Sequence, residues 1–188
     1  MSGVISAGAR GGLSDQVLSP ILEKAFKKGQ HKAVALLINS PGGSPVQSSL
    51  ISSRIKRLAK ENDLPVYAFV EDVAASGGYW LACSADEIYA DTGSIIGSIG
   101  VISAGFGFQE LIHKYGVERR VHTAGKSKSM LDPFKEENPA DIKRLKKILG
   151  EMHELFISYV KKARAGKITQ ADDIFTGEIW LGEKARQL

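Results

Sequence analysis

The chain has 188 residues, 43% of them hydrophobic, which suffices for one substantial core and makes a single domain over 1–188 the expectation. Its net charge of +4 comes from scattered pairs such as Lys27–Lys28, Lys146–Lys147 and Lys161–Lys162 on segments that also carry acids. With 7% aromatic residues and no basic–aromatic interleaving, nucleic acid is not an expected partner. The lone Cys83 excludes an internal disulfide, and its setting beside Leu81 and Ala82 predicts a buried structural thiol. His31, His113, His122 and His153 are too dispersed for a metal site, and no cofactor is implied.

In chain order, residues 3–6 read as the end of a strand, followed by a flexible, glycine-rich connection over 7–12. Ser14–Asp15 caps a predicted helix whose apolar stripe is Val17, Leu18, Ile21, Leu22, Ala25 and Phe26, stopped by Gly29. The apolar run 34–38 predicts a buried strand, and Asn39-Ser40-Pro41-Gly42-Gly43-Ser44 a tight turn after it. A second helix carries Val46, Leu50, Ile51, Ile55 and Leu58 on one face. The run 66–70 predicts another buried strand, opening through Ala75-Ser76-Gly77-Gly78 into a short helix.

Further strands are predicted at 87–90 and 117–123, with a small-residue, apolar packing segment at 94–102 and a helix near 108–115. Asn138–Pro139 opens a long helix, asparagine as cap and proline at the first turn, ending at Gly166. Its stripe of Ile142, Leu145, Ile148, Leu149, Met152, Phe156, Tyr159 and Val160 is expected to lie in the core, an oligomer contact being the alternative. Residues 182–188 read as a helix without a cap, so the natural chain is expected to be longer. Strands alternating with helices imply an α/β fold with a mainly parallel sheet. No run approaches a membrane span and no signal-peptide pattern opens the chain, so it reads as soluble as given.

Two glycine turns at strand ends, each opening into a helix, present backbone N–H groups where negative charge can be stabilised, and one holds a small hydroxyl, Ser76. A serine needs a base. No histidine has a catalytic context; His122 comes nearest, on the predicted strand before a loop that offers Lys126 and Lys128. A lysine serves as base only as the neutral amine, which for a side chain of ordinary pKa about 10.4 requires burial under apolar groups. A nearby hydroxyl such as Ser98 is suited to orient that amine. Each feature alone has a plain structural reading. A Gly-Gly turn is commonly structural, Ser76 is placed to cap a helix, Ser98 to pack tightly, Asp72 to sit in a turn, and lysines are mostly solvated.

Together the segments 38–43, 75–80, 92–100, Lys128-Ser129 with Pro133-Phe134, and Thr176-Gly177 with Gly182-Glu183 resemble the protease IV / signal peptide peptidase A family of bacterial serine proteases. The Asn-Ser-Pro-Gly-Gly element alone also resembles the Clp protease proteolytic subunit. The resemblance implies a Clp/crotonase-type spiral of ββα units and a Ser–Lys dyad. In it Ser76 is the nucleophile, Lys128 the general base and Ser98 the residue that hydrogen-bonds the amine. The N–H groups of Gly42, Gly43 and Gly77 form the oxyanion hole.

It further implies a peptide or membrane-protein-derived substrate of extended, apolar character, a homo-oligomer, and membrane association through a segment not present here. The setting would be the cytoplasm or the bacterial inner membrane, and the single peptidase domain would be truncated at both ends. Two other readings stay open: a catalytically silent relative that binds peptide or organises a complex, and a crotonase-type acyl-CoA enzyme.

Overall fold

A computed structural model describes residues 1–8, 11–27, 29, 31–168 and 172–188. Part of the predicted 7–12 connection and Lys28 lie outside the described residues. The chain forms two compact units. One comprises Met1–Gly100 with His153–Leu188, the other Val101–Met152.

The first unit is an α/β layer around a mainly parallel sheet. Helix α1 (Asp15–Phe26) precedes β1 (Val34–Ser40), α2 (Pro45–Asn62), β2 (Val66–Ala75), α3 (Gly77–Ala82), β3 (Glu87–Ala90) and β4 (Ile95–Gly97). Strand β2 lies at the centre. It pairs in parallel with β1 on one side, and with β3 and β4 in succession on the other. Between them the chain turns at Asp91, whose carboxylate accepts the Gly93 N–H, and Ser94 donates back to the β2 carbonyl of Val70. Strand β5 (Ile179–Leu181) closes the other edge of β4 antiparallel. The predicted α/β architecture with a mainly parallel sheet is therefore what forms.

One sheet face and the facing helix stripes make the main core, with Leu18, Leu22 and Phe26 from α1, Ile51 and Ile55 from α2, and Leu36, Ile38, Val66 and Ala68 from the strands. The stripes are narrower than predicted. Val17, Ile21, Val46 and Leu50 are exposed, because each is set one or two positions off the row that meets the sheet.

The strands also differ from the expectation of full burial. They alternate: Leu37 and Phe69, in register across β1 and β2, are exposed together with Tyr89 of β3, which stacks on Phe69 with ring centroids 5.2 Å apart. Continuous apolar runs anticipate covering layers on both faces, whereas helices of this unit bury only the other one. The opening residues 3–6 form no full strand, only isolated bridges from Ser2 to Asn39 and from Ile5 to Leu13 and Gly43.

A second cluster forms around Trp80, which stacks on Phe156 and Tyr159 from the C-terminal half of α5 (Pro139–Ala163), with Val160 and Phe175 against it. Cys83 is buried here, and desolvation pushes its thiol up to about 12, which keeps it protonated and inert, as its sequence setting predicted.

The Val101–Met152 unit contains α4 (Gln109–Lys114), a run of turns over 124–131 and the start of α5. The Asn138 side chain caps α5 by accepting the Ala140 N–H, as predicted. The predicted strand at 117–123 is absent. Among the described residues nothing pairs with it, and an isolated extended segment has no ladder to satisfy its backbone. The predicted core role of the α5 stripe holds for Phe156 and Val160 and fails for its N-terminal half, where Ile148 is exposed and Ile142, Leu145, Leu149 and Met152 are only partly covered.

Candidate active site

The two glycine turns read separately from sequence meet in space. Strands β1 and β2 are parallel neighbours, so their C-terminal ends deliver both turns to the same end of the sheet. Gly42 has φ +99°, and a Cβ placed on it would lie 2.7 Å from the Gly77 nitrogen and 2.9 Å from Ser76 Cβ. A Cβ on Gly78 would meet the Ser40 carbonyl at 2.2 Å, and one on Gly43 the Ile5 carbonyl at 2.0 Å. The turns press backbone against backbone, which only glycine permits.

Ser76 sits at the junction of β2 and α3 with φ 51° and ψ −120°, a backbone state that an L-residue occupies only when its surroundings enforce it. Two bonds do so: its N–H donates to the Gly97 carbonyl at 2.9 Å and its carbonyl accepts from Trp80 at 3.0 Å. Although it occupies the N-cap position of α3, its side chain makes no capping bond, so the plain structural reading of this serine fails. The hydroxyl stands half-buried on a sharp strand-to-helix turn.

The candidate oxyanion donors are not equivalent. Gly77 opens α3, so its N–H has no acceptor within the helix. Gly42 is buried and donates its N–H to Ser40 Oγ at 3.2 Å. Gly43 is exposed at the mouth of the turn. Ser98 joins the same unit from β4's end. It has φ 54° and donates its N–H to the Glu178 carbonyl at 2.6 Å, immediately after the Gly97 that holds Ser76. Asp72 lies within β2 and not in a turn; it is exposed, in keeping with a solvent residue, and accepts from Asn39 Nδ2 at 2.5 Å.

Lys128 belongs to the other unit. It lies in the 124–131 turns, with its N–H bonded to the Gly125 carbonyl at 3.2 Å, and its side chain is exposed, as are those of Lys126 and His122. The apolar cover that a neutral lysine needs is not supplied by its immediate neighbours. The loop is anchored just downstream by Asp132, which accepts from Arg119 Nε at 3.0 Å and from the Phe134 N–H at 3.1 Å. Within this unit an open cavity of about 940 Å³ is lined by Phe106, Phe108, Leu131 and Leu145 together with Lys126 and Ser129, which flank Lys128 in the chain.

Thus Ser76, Gly42, Gly43, Gly77 and Ser98 share one unit around two joined turns, and Lys128 stands in the other. Sequence reasoning missed the Gly97 carbonyl as the anchor of Ser76, and missed His153, whose Nε2 bonds the Ile99 carbonyl at 2.9 Å. Among the described residues no cluster of three or more His, Cys, Asp or Glu is arranged to hold a metal. Nor, among them, is any helix long and apolar enough to cross a membrane.

Residues 58–188 match the family model described as Peptidase family S49. A protein of Brucella melitensis named Na(+)/H(+) antiporter NhaA is 57% identical over 168 residues, which are 89% of this chain and 23% of that protein. Protease 4 of Haemophilus influenzae is 35% identical, covering 90% of this chain and 27% of its own length. The putative signal peptide peptidase SppA of Enterococcus faecium is 30% identical, covering 87% and 47% respectively. The chain thus spans less than half the length of each of these relatives, and the antiporter name belongs to a protein more than three quarters of which lies outside the match. With the family model covering more than half of its length, the chain belongs to peptidase family S49.

Proposed function

We propose that this chain is a serine endopeptidase that cleaves extended, apolar peptide segments, such as signal peptides or membrane-protein fragments, through a Ser76–Lys128 dyad. The observation that carries the reading is Ser76 itself: a strained, half-buried serine whose hydroxyl caps nothing and whose turn is pressed against a second glycine turn. In the reaction, neutral Lys128 takes the Ser76 proton as Oγ attacks the peptide carbonyl. The tetrahedral oxyanion is held by the Gly77 N–H with that of Gly43, while Gly42, its own N–H turned to Ser40, shapes the hollow. The lysine then passes its proton to the departing amine, and water, deprotonated in turn by the lysine, releases the acyl group from Ser76. Ser98 holds the lysine amine in orientation.

Two features support the finer points. The cavity beside the lysine loop carries Phe106, Phe108, Leu131 and Leu145 among charged residues that include Glu136, Glu137 and Asp141, and those four suit apolar side chains of a substrate. The exposure of Lys128 and the half-covered α5 stripe suit a homo-oligomer, in which a neighbouring copy or the substrate supplies the missing apolar cover. Membrane association, if the full protein has it, would come from a segment beyond these residues.

The test is cleavage of an apolar reporter peptide by the wild type, Ser76→Ala and Lys128→Ala. Both variants should fold, judged by circular dichroism, and lose turnover by at least a thousandfold. Full activity in Lys128→Ala would remove the base assignment. A silent wild type that still binds the peptide would favour the peptide-binding reading, and coenzyme A binding the acyl-CoA reading.

A further inference from the structure

We propose that His153 is a positioning residue for the nucleophile turn, acting through the backbone of Gly97–Ile99; the inference rests on Ser76 being the nucleophile. Strand β4 ends at Gly97, and the next residue, Ser98, turns with φ 54°. The turn takes Ile99, which is 2% exposed, out of the sheet ladder and leaves its carbonyl without a strand partner. A buried carbonyl without a donor costs about 1–3 kcal/mol. His153 supplies that donor: a carbonyl only accepts, so Nε2 carries the hydrogen in this 2.9 Å bond.

The consequence reaches Ser76 in two steps. Gly97, two residues before Ile99, holds the Ser76 N–H through its own carbonyl, and Ser98 between them is tied to Glu178. A Cβ on Gly97 would lie 2.7 Å from the Trp180 ring, so this turn has no room to shift towards β5. With movement towards β5 blocked by Trp180, the His153 bond fixes the segment that follows Ser98, and the Gly97 carbonyl stays where Ser76 needs it. Gly100 and His153 are also the residues at which the chain leaves and re-enters this unit. The bond therefore closes the neck of a 52-residue excursion that carries Lys128.

The experiment compares wild type, His153→Leu, His153→Gln and a Ser76→Ala control, each titrated with a fluorophosphonate so that rates are expressed per reactive serine. His153→Leu keeps the volume and loses the donor; His153→Gln places an amide N–H near the Nε2 position. The expected result is a kcat per titrated site lowered on the order of tenfold in His153→Leu with KM unchanged, and largely restored in His153→Gln. If His153→Leu does not fold, His153→Asn, whose amide falls short of Ile99, replaces it under the same criterion. A His153→Leu enzyme with less titratable protein or a lower Tm but wild-type kcat per site overturns the inference and leaves the dyad reading standing. Labelling that persists in Ser76→Ala overturns the dyad reading and this inference together.

Discussion

At the scale of single residues, Ser76 and Gly42 depend on each other. The serine's backbone is held in a state that costs about 1–3 kcal/mol in isolation, and the neighbouring turn fits only because Gly42 lacks a side chain. Gly42→Ala must push either the Gly77 nitrogen or Ser76 Cβ away, and its own φ of +99° disfavours any L-residue. The expected outcome is a fall in kcat on the order of a hundredfold or more, with Ser76 labelling slowed in parallel, measured against unchanged circular dichroism. These residues were legible in the sequence because Gly-Gly turns after apolar runs are local signals. His153 was not legible, because its partner is a main-chain carbonyl 54 positions away that carries no residue signature. The role of Ser40, whose hydroxyl accepts the Gly42 N–H, was not read either, although its partner is only two residues away.

At the scale of elements, helix ends and the α1–α2 contact make separable predictions. Ser14 Oγ accepts the Val17 N–H at 3.3 Å, the cap anticipated from Ser14–Asp15, and Ser14→Ala should cost about 1 kcal/mol in urea unfolding. Arg54 of α2 grips Asp15 of α1 with Nε and Nη2, each 2.7 Å from a carboxylate oxygen. The bonded Arg54 guanidinium holds the Asp15 carboxyl below its ordinary range, against a smaller opposing effect of desolvation. A lowered folded-state pKa contributes stability that is present above the unfolded value, about 3.9, and is lost as pH falls through the folded one. Asp15→Asn should therefore destabilise by about 1 kcal/mol at neutral pH, with the difference from wild type vanishing in strong acid, as read by urea unfolding across pH. The helices were readable because their caps and stripes are short-range. The segment 117–123 was misread because its residue types state only what a strand would look like. Whether a partner edge exists is decided elsewhere in the chain.

At the scale of the whole molecule, the parallel sheet brings together turns 34 residues apart, from Gly42 to Ser76; the sheet followed from the alternation of strands and helices, whereas a site shared by the two turns was implied only by the family resemblance. What composition did not disclose is how much apolar surface remains uncovered. Leu37, Phe69 and Tyr89 form an exposed row on the outer sheet face, and Ile148 and Leu155 of α5 are exposed. A run of apolar residues marks surface to be hidden without naming what hides it. If the proposed homo-oligomer buries the α5 stripe, Ile148→Glu should shift sedimentation velocity towards the single chain, whereas an unchanged boundary would place the interface elsewhere. The dyad makes the sharpest claim of all, since it requires one amine to govern the reactivity of one hydroxyl. Fluorophosphonate labelling of Ser76, followed across a pH series in wild type and Lys128→Ala, measures that directly. The account predicts a labelling rate that rises with pH along a single-proton curve and collapses in the variant at every pH. An identical profile in Lys128→Ala would contradict it.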